Sequence, residues 1–138
     1  MEIKDKLRRC RKIDEEISTL DRSRKTIYDT LLAATDYSSE RVQASHRNHV
    51  DEKYTRLASL QEEIDQKIDE LVDLKIDLFQ LINTLDDSRY RNVLIDYYLN
   101  RKTWEEVAVN NHWTYRHTLR LHGQALQQLR AKEVTKCH

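Results

Sequence analysis

The sequence predicts an all-α fold, and three observations carry that expectation. The 138-residue chain has no proline and a single glycine, Gly123, so the residues that interrupt helices and shape tight turns are nearly absent. Apolar residues recur at steps of three and four over long stretches. Charged residues make up 35% of the chain, and above so regular an apolar pattern they read as the solvated faces of long helices rather than as a disordered tract.

The elements follow in order. Ile3, Leu7, Cys10, Ile13, Ile17, Leu20, Ile27 and Leu31 form one heptad-like stripe, broken only at Arg24. Val50, Tyr54, Leu57, Leu60, Ile64, Ile68, Leu71, Leu74, Leu78, Leu81 and Leu85 form a second. Between them the stretch from Thr35 to His49 loses the pattern and gains Ser, Thr and Asn, which places a connection there. Residues 1–85 therefore predict a long antiparallel helical hairpin (coiled coil) with a loop over about 35–49. Folding back about the middle of that loop sets Lys6, Arg8, Arg9, Arg11 and Lys12 beside Asp69, Asp73 and Asp77, and Arg22, Arg24 and Lys25 beside Glu62 and Glu63. Such exposed pairs set register more than stability. Leu32, Val72, Ile76, Phe79 and Ile82 widen the apolar face beyond a two-stranded seam, so self-association is expected, a homodimer being the simplest closed form; coverage by the rest of the chain is the alternative. The loop carries Arg41, His46, Arg47 and His49, either a contact surface or a plain turn.

Residues 86–138 predict three short helices. Asp86, Asp87 and Ser88 offer N-cap chemistry before an amphipathic segment, Arg89 to Asn100, with Val93, Leu94, Tyr97 and Tyr98 on its apolar side. Thr103-Trp104-Glu105-Glu106 has the spacing of a capping box and opens a helix through Val107 and Ala108, expected to stop at Asn110-Asn111. Thr114 is the next N-cap, and from Tyr115 to about Lys132 a helix turns Thr118, Leu121, Ala125, Leu126 and Leu129 inward. His122 falls towards that side as a packed histidine, and Trp104 and Trp113 are expected in the core. Two helices joined by a short turn, the second opening with polar residues, are the pattern of a DNA-binding helix-turn-helix.

Charge points the same way. The net charge is zero, yet residues 1–85 hold 15 Lys and Arg against 18 Asp and Glu, and residues 86–138 hold 9 against 6 together with four of the six histidines. Arg116 and Arg120 stand one turn apart on one face, and an arginine can bind a guanine edge bidentately. No nucleophile with a base, no glycine-rich phosphate loop and no metal-ligand spacing occurs, and Cys10 and Cys137 stand alone. No enzyme activity, cofactor or metal is expected. No apolar run is long enough to span a membrane, so a cytoplasmic protein is expected.

The stretch TWEEVAVNNHWTYRHTLRLHGQALQQLR resembles region 4 of sigma-70 factors. Thr103, Glu105, Glu106, Val107 and Ala108 match that family's opening, and Ala125, Leu126, Leu129 and Arg130 match its ending. The resemblance implies that residues 86–138 are a DNA-binding domain and that DNA is faced by Tyr115, Arg116, Leu119 and Arg120, although Leu119 departs from the polar residue expected and suits a thymine methyl or packing. His117 and Gln124 flank the face as phosphate contacts, and Thr103 with its helix-start amides is a further one. Over nearly the whole chain, including the segment Val42 to Ser45, the sequence is similar to small proteins of phages and prophages of Gram-positive bacteria related to ArpU/RinA-like regulators of late transcription. That similarity implies a regulator of phage gene expression in a bacterial host, with double-stranded DNA and host RNA polymerase as candidate partners. No promoter-melting region is present, so initiation alone is not expected. A small-terminase-like packaging protein, or a protein-interaction module with a degenerate helix-turn-helix, remain the alternatives.

Overall fold

The structure, a computed structural model, describes the backbone of residues 2–38 and 44–136 and the side chains of residues 2–34 and 49–134. Within that span the chain is helical throughout its regular structure: α1 (Ile3–Ser38), α2 (Ala44–Ile82), α3 (Ser88–Leu94), a π-helical turn (Ile95–Leu99), α4 (Trp104–Asn111) and α5 (Tyr115–Lys136). The connection expected over about 35–49 is shorter, because α1 runs to Ser38 and α2 resumes at Ala44. Ser, Thr and Asn disfavour a helix by only a few tenths of a kcal/mol each, and no glycine or proline in the segment stops either helix. Arg41 and the Val42–Gln43 part of the resembling segment lie outside the described residues, as do the side chains of His46 and Arg47, and Cys137. His49 is exposed.

Two compact units divide the chain: Met1–Asp14 with Leu71–His138, and Glu15–Glu70. The second unit has a thin core. Ile64 and Leu31 are its buried apolar residues, while Ile17, Leu20, Tyr54, Leu57 and Leu60 are half-buried and Ile27, Tyr28, Leu32 and Ile68 are exposed. Its two helices meet at a Tyr28–Tyr54 edge contact, with ring centroids 6.4 Å apart, and at a Lys67–Glu16 ion pair of 3.6 Å. Arg24 pairs with Asp21 of its own helix, and Arg22 donates to Ser18 O and Thr19 Oγ1, rather than either reaching Glu62 or Glu63. A partner one turn away costs a long exposed side chain less entropy than one on a neighbouring helix.

The first unit is built around α5, which packs on α3 and α4. Ile3, Leu7, Cys10 and Ile13 of α1 and Leu71, Leu78, Leu81 and Ile82 of α2 are buried in the same unit. Of the residues expected to widen the α2 face here, Ile82 is fully buried, whereas Val72, Ile76 and Phe79 stay 47–50% exposed. Lys6 stands 3.4 Å from Glu133 of α5, not beside an acid of α2. Arg11 donates through Nη1 to Tyr97 O at 2.6 Å and Lys102 O at 3.1 Å, and its guanidinium lies 4.2 Å from the centre of the Tyr97 ring. Carbonyls in the last turn before a helix end lack an intrahelical donor, and the guanidinium supplies one. Asp14 accepts from Lys75 at 2.9 Å and faces Arg101 at 3.5 Å.

Burial pushes the Cys10 thiol up to about 11, which keeps it protonated. Replacing Arg11 with Ala strips a donor from two carbonyls at once and is expected to cost about 2 kcal/mol. Urea denaturation of Arg11→Ala beside the wild type measures this; an unchanged midpoint would show that water replaces the guanidinium at no cost.

Candidate nucleic-acid interface

The segment that carries the expected contacts is assembled by local hydrogen bonds. Asp87 caps α3, accepting from Arg89 N at 2.9 Å, and the Arg89 guanidinium beside it holds the Asp87 carboxyl below its usual range. The helix then widens: Asn100 N–H reaches back five residues to Ile95 O at 2.9 Å, a π turn that the sequence pattern did not signal. The reversal is completed by Arg101, in the left-handed region at φ 56°. A periodic pattern of apolar residues cannot distinguish four-residue from five-residue closure within a single turn.

The π turn stacks Tyr97 on Trp104, with ring centroids 3.7 Å apart and planes 8° from parallel. His122 of α5 meets Trp104 edge-on at 4.6 Å, and its Nε2 lies 2.7 Å from the buried Tyr98 hydroxyl. Burial, reinforced by the cations Lys4 and Arg8, lowers the His122 pKa to about 4; burial raises Tyr98 to about 12. A protonated phenol and a neutral imidazole satisfy each other there, whichever of the two donates. His122 is thus packed as expected, but Trp104 and Trp113 are half-buried anchors, not core residues.

Thr103 and Glu106 form a reciprocal capping box at the start of α4: Thr103 Oγ1 accepts from Glu106 N at 3.2 Å and Glu106 Oε1 from Thr103 N at 3.3 Å. Those two amides are thereby satisfied internally. The helix ends at Asn111, within the Asn110-Asn111 expectation, but neither asparagine takes the left-handed position. Asn111 stays helical, its amide tied to Val107 O at 2.8 Å and Asp96 Oδ2 at 3.2 Å, and His112 takes the left-handed position at φ 60°. Bonds from Trp113 N to Ala108 O and from His112 N to Val109 O close the turn as a Schellman motif. Thr114 then starts α5, its Oγ1 accepting from His117 N at 3.1 Å.

From that fixed start, helical geometry sorts the residues of α5. Thr118, Leu121, Ala125 and Leu129 are buried at 1% exposure or less, and Thr118 satisfies its hydroxyl on Thr114 O. On the other side Tyr115, Arg116, Leu119 and Arg120 are brought together as one exposed strip. No hydrogen bond or ion pair among the described residues engages the Arg116 or Arg120 guanidinium. His117 is half-buried with its ring edge-on to Trp113, and Gln124 Oε1 accepts from the Tyr90 hydroxyl at 3.3 Å, so both lie at the margin of the strip. Thr103 lies on α4 and is exposed at its cap. Val109, 73% exposed near the end of α4, is a surface apolar residue that the sequence reading did not single out. Among the described residues no group of three potential metal ligands is found, and no helix is long and apolar enough to cross a membrane.

Two measurements check this geometry. Thr103→Ala is expected to lower stability by about 1 kcal/mol through loss of the cap; a thermal melt reads it, and an unchanged transition would mean that the box does not hold in solution. For His122 the folded pKa lies below the unfolded value near 6.5, so unfolding takes up a proton. Stability should be level above pH 6.5 and fall by about 1 to 2 kcal/mol towards pH 4, after discounting for the partly exposed ring. His122→Gln should flatten that slope in urea titrations run between pH 7.5 and 4.5, and an equal slope in both proteins would count against a neutral packed ring.

The family described as "Protein of unknown function (DUF1492)" matches residues 31–130, more than half of the chain, and the chain belongs to that family. The matched span takes in α4 and the exposed strip of α5. No curated protein and no solved structure matches.

Proposed function

For this member of the DUF1492 family we propose a DNA-binding transcriptional regulator in which α4 and α5 act as a helix-turn-helix and α5 enters the major groove. One observation carries the reading: two guanidiniums one turn apart, Arg116 and Arg120, project from a helix whose opposite face is fully packed, with no partner among the described residues. Unpaired arginines on a rigid scaffold are preorganised for bidentate contacts to guanine O6 and N7, and Leu119 and Tyr115 beside them offer apolar contact to thymine methyls. His117 and Gln124 at the margin, and the start of α4 at Thr103, are the phosphate contacts of this proposal. The similarity to phage and prophage regulators of the ArpU/RinA kind supports a role on late or prophage genes, with host RNA polymerase as a further partner.

The cross-helix contacts of residue 16 with 67 and of 28 with 54 support an antiparallel hairpin in residues 1–85 as the dimerising element of this regulator. A second reading has its own support: Tyr115 and Leu119 expose apolar surface on the arginine face of α5 and Val109 does so on α4, which also suits a protein partner.

A fluorescence anisotropy titration against restriction fragments of the genome that carries the gene decides between the two. Selective binding is expected, falling steeply between 50 and 200 mM salt, and Arg116→Ala/Arg120→Ala should weaken it by about a hundredfold. Equal binding by wild type and double variant, or no binding by either, would overturn DNA reading and leave the protein-partner role. A dimer by sedimentation fits the regulator, whereas a ring of many copies would favour packaging.

A further inference from the structure

The chain's single glycine lies in the interior of α5, on the exposed side of the helix. Nothing among the described residues calls for it. Its φ is not in the left-handed region that favours glycine, and a Cβ built at Gly123 would meet no atom within 4 Å. Alanine would suit the helix better, since glycine in a helix interior is the most costly residue after proline. Of the neighbours of Gly123 one turn away on the helix, Leu119, Arg120 and Gln127, at i−4, i−3 and i+4, are exposed, and Leu126, at i+3, is buried. Arg116 lies one turn further towards the N-terminus. From residue 115 to residue 132 the helix holds no acidic side chain.

We infer that Gly123 is a close-approach point, where the sugar–phosphate backbone of bound DNA passes directly against the main chain of α5. The inference rests on the DNA-reading role proposed above and adds a position to it that touches no base. A missing side chain on an exposed, acid-free strip lined with arginines lets a polyanionic chain sit about one carbon layer closer to the helix axis, which brings the arginines within reach of base edges. A glycine serving only a protein neighbour would be equally bare but would gain nothing from the absence of carboxylates.

The test sets stability against binding. The full chain is compared as wild type, Gly123→Ala, Gly123→Leu and Arg116→Ala/Arg120→Ala, by thermal melts and by anisotropy with a labelled 30-base-pair random duplex at 50 mM salt. Because the Cβ position is open, both glycine variants should fold, and Gly123→Ala should melt about 3 °C higher than wild type. Its affinity should nevertheless fall about fivefold, and that of Gly123→Leu about a hundredfold, as overpacked contacts do. If both glycine variants bind like wild type while the double arginine variant does not, DNA reading stands and close approach at Gly123 is wrong. If neither arginine nor glycine changes alter binding, or wild type does not bind, the DNA reading itself fails and this inference with it.

Discussion

The position of the exposed strip depends on one constraint: the inner face of α5 is fully used. Thr118, Leu121, Ala125 and Leu129 are buried to within 1% of complete, so the helix cannot rotate about its axis without exposing that face and burying guanidiniums. Burying an unpaired charge is far more costly than exposing a leucine, so the rotation is set by both sides of the helix together. Thr114 sets where the helix begins, and the left-handed His112 sets the direction from which the chain arrives.

Around that helix the π turn and its neighbours form a polar and aromatic joint. The Arg11 guanidinium bridges Tyr97 O and Lys102 O, Tyr97 stacks on Trp104, and Trp104 meets His122 of α5. The first turns of α1 are thereby tied to the elements that hold the strip, although over a hundred residues separate Lys6 from its partner Glu133. Partial burial, with Lys4 and Arg8 nearby, favours the neutral His122 ring, so protonating it works against this joint.

The second unit contrasts with this. Its apolar stripe is mostly half-buried, and its ion pairs are exposed and worth little. Of the residues from which self-association was expected, Leu32 in this unit and Val72, Ile76 and Phe79 in the other stay at the surface, where the stripe residues Ile27 and Ile68 are exposed as well.

Periodicity and cap chemistry in the sequence were enough to read the helical class, the capping box at Thr103, the cap at Thr114, and the sorting of α5 into inward and outward residues. Each of those is local: a 3.6-residue repeat or a hydrogen bond spanning three residues decides it. What lay beyond reach was non-local or finely balanced. The short connection between α1 and α2, the five-residue closure at Ile95–Leu99 and the left-handed residue at His112 rather than an asparagine each turn on small differences that packing resolves. The partners of Lys6, Arg11 and Arg24 were misassigned because charge matching along a strip ignores side-chain entropy and the pull of unsatisfied carbonyls. The amino-acid sequence by itself determined that this protein is helical and which face of α5 is polar, since both follow from neighbours within one turn. Only the tertiary structure decided that Arg116 and Arg120 have no partner among the described residues while Arg11 and Arg101 are engaged, because that depends on which carbonyls and carboxylates the folded chain brings within reach.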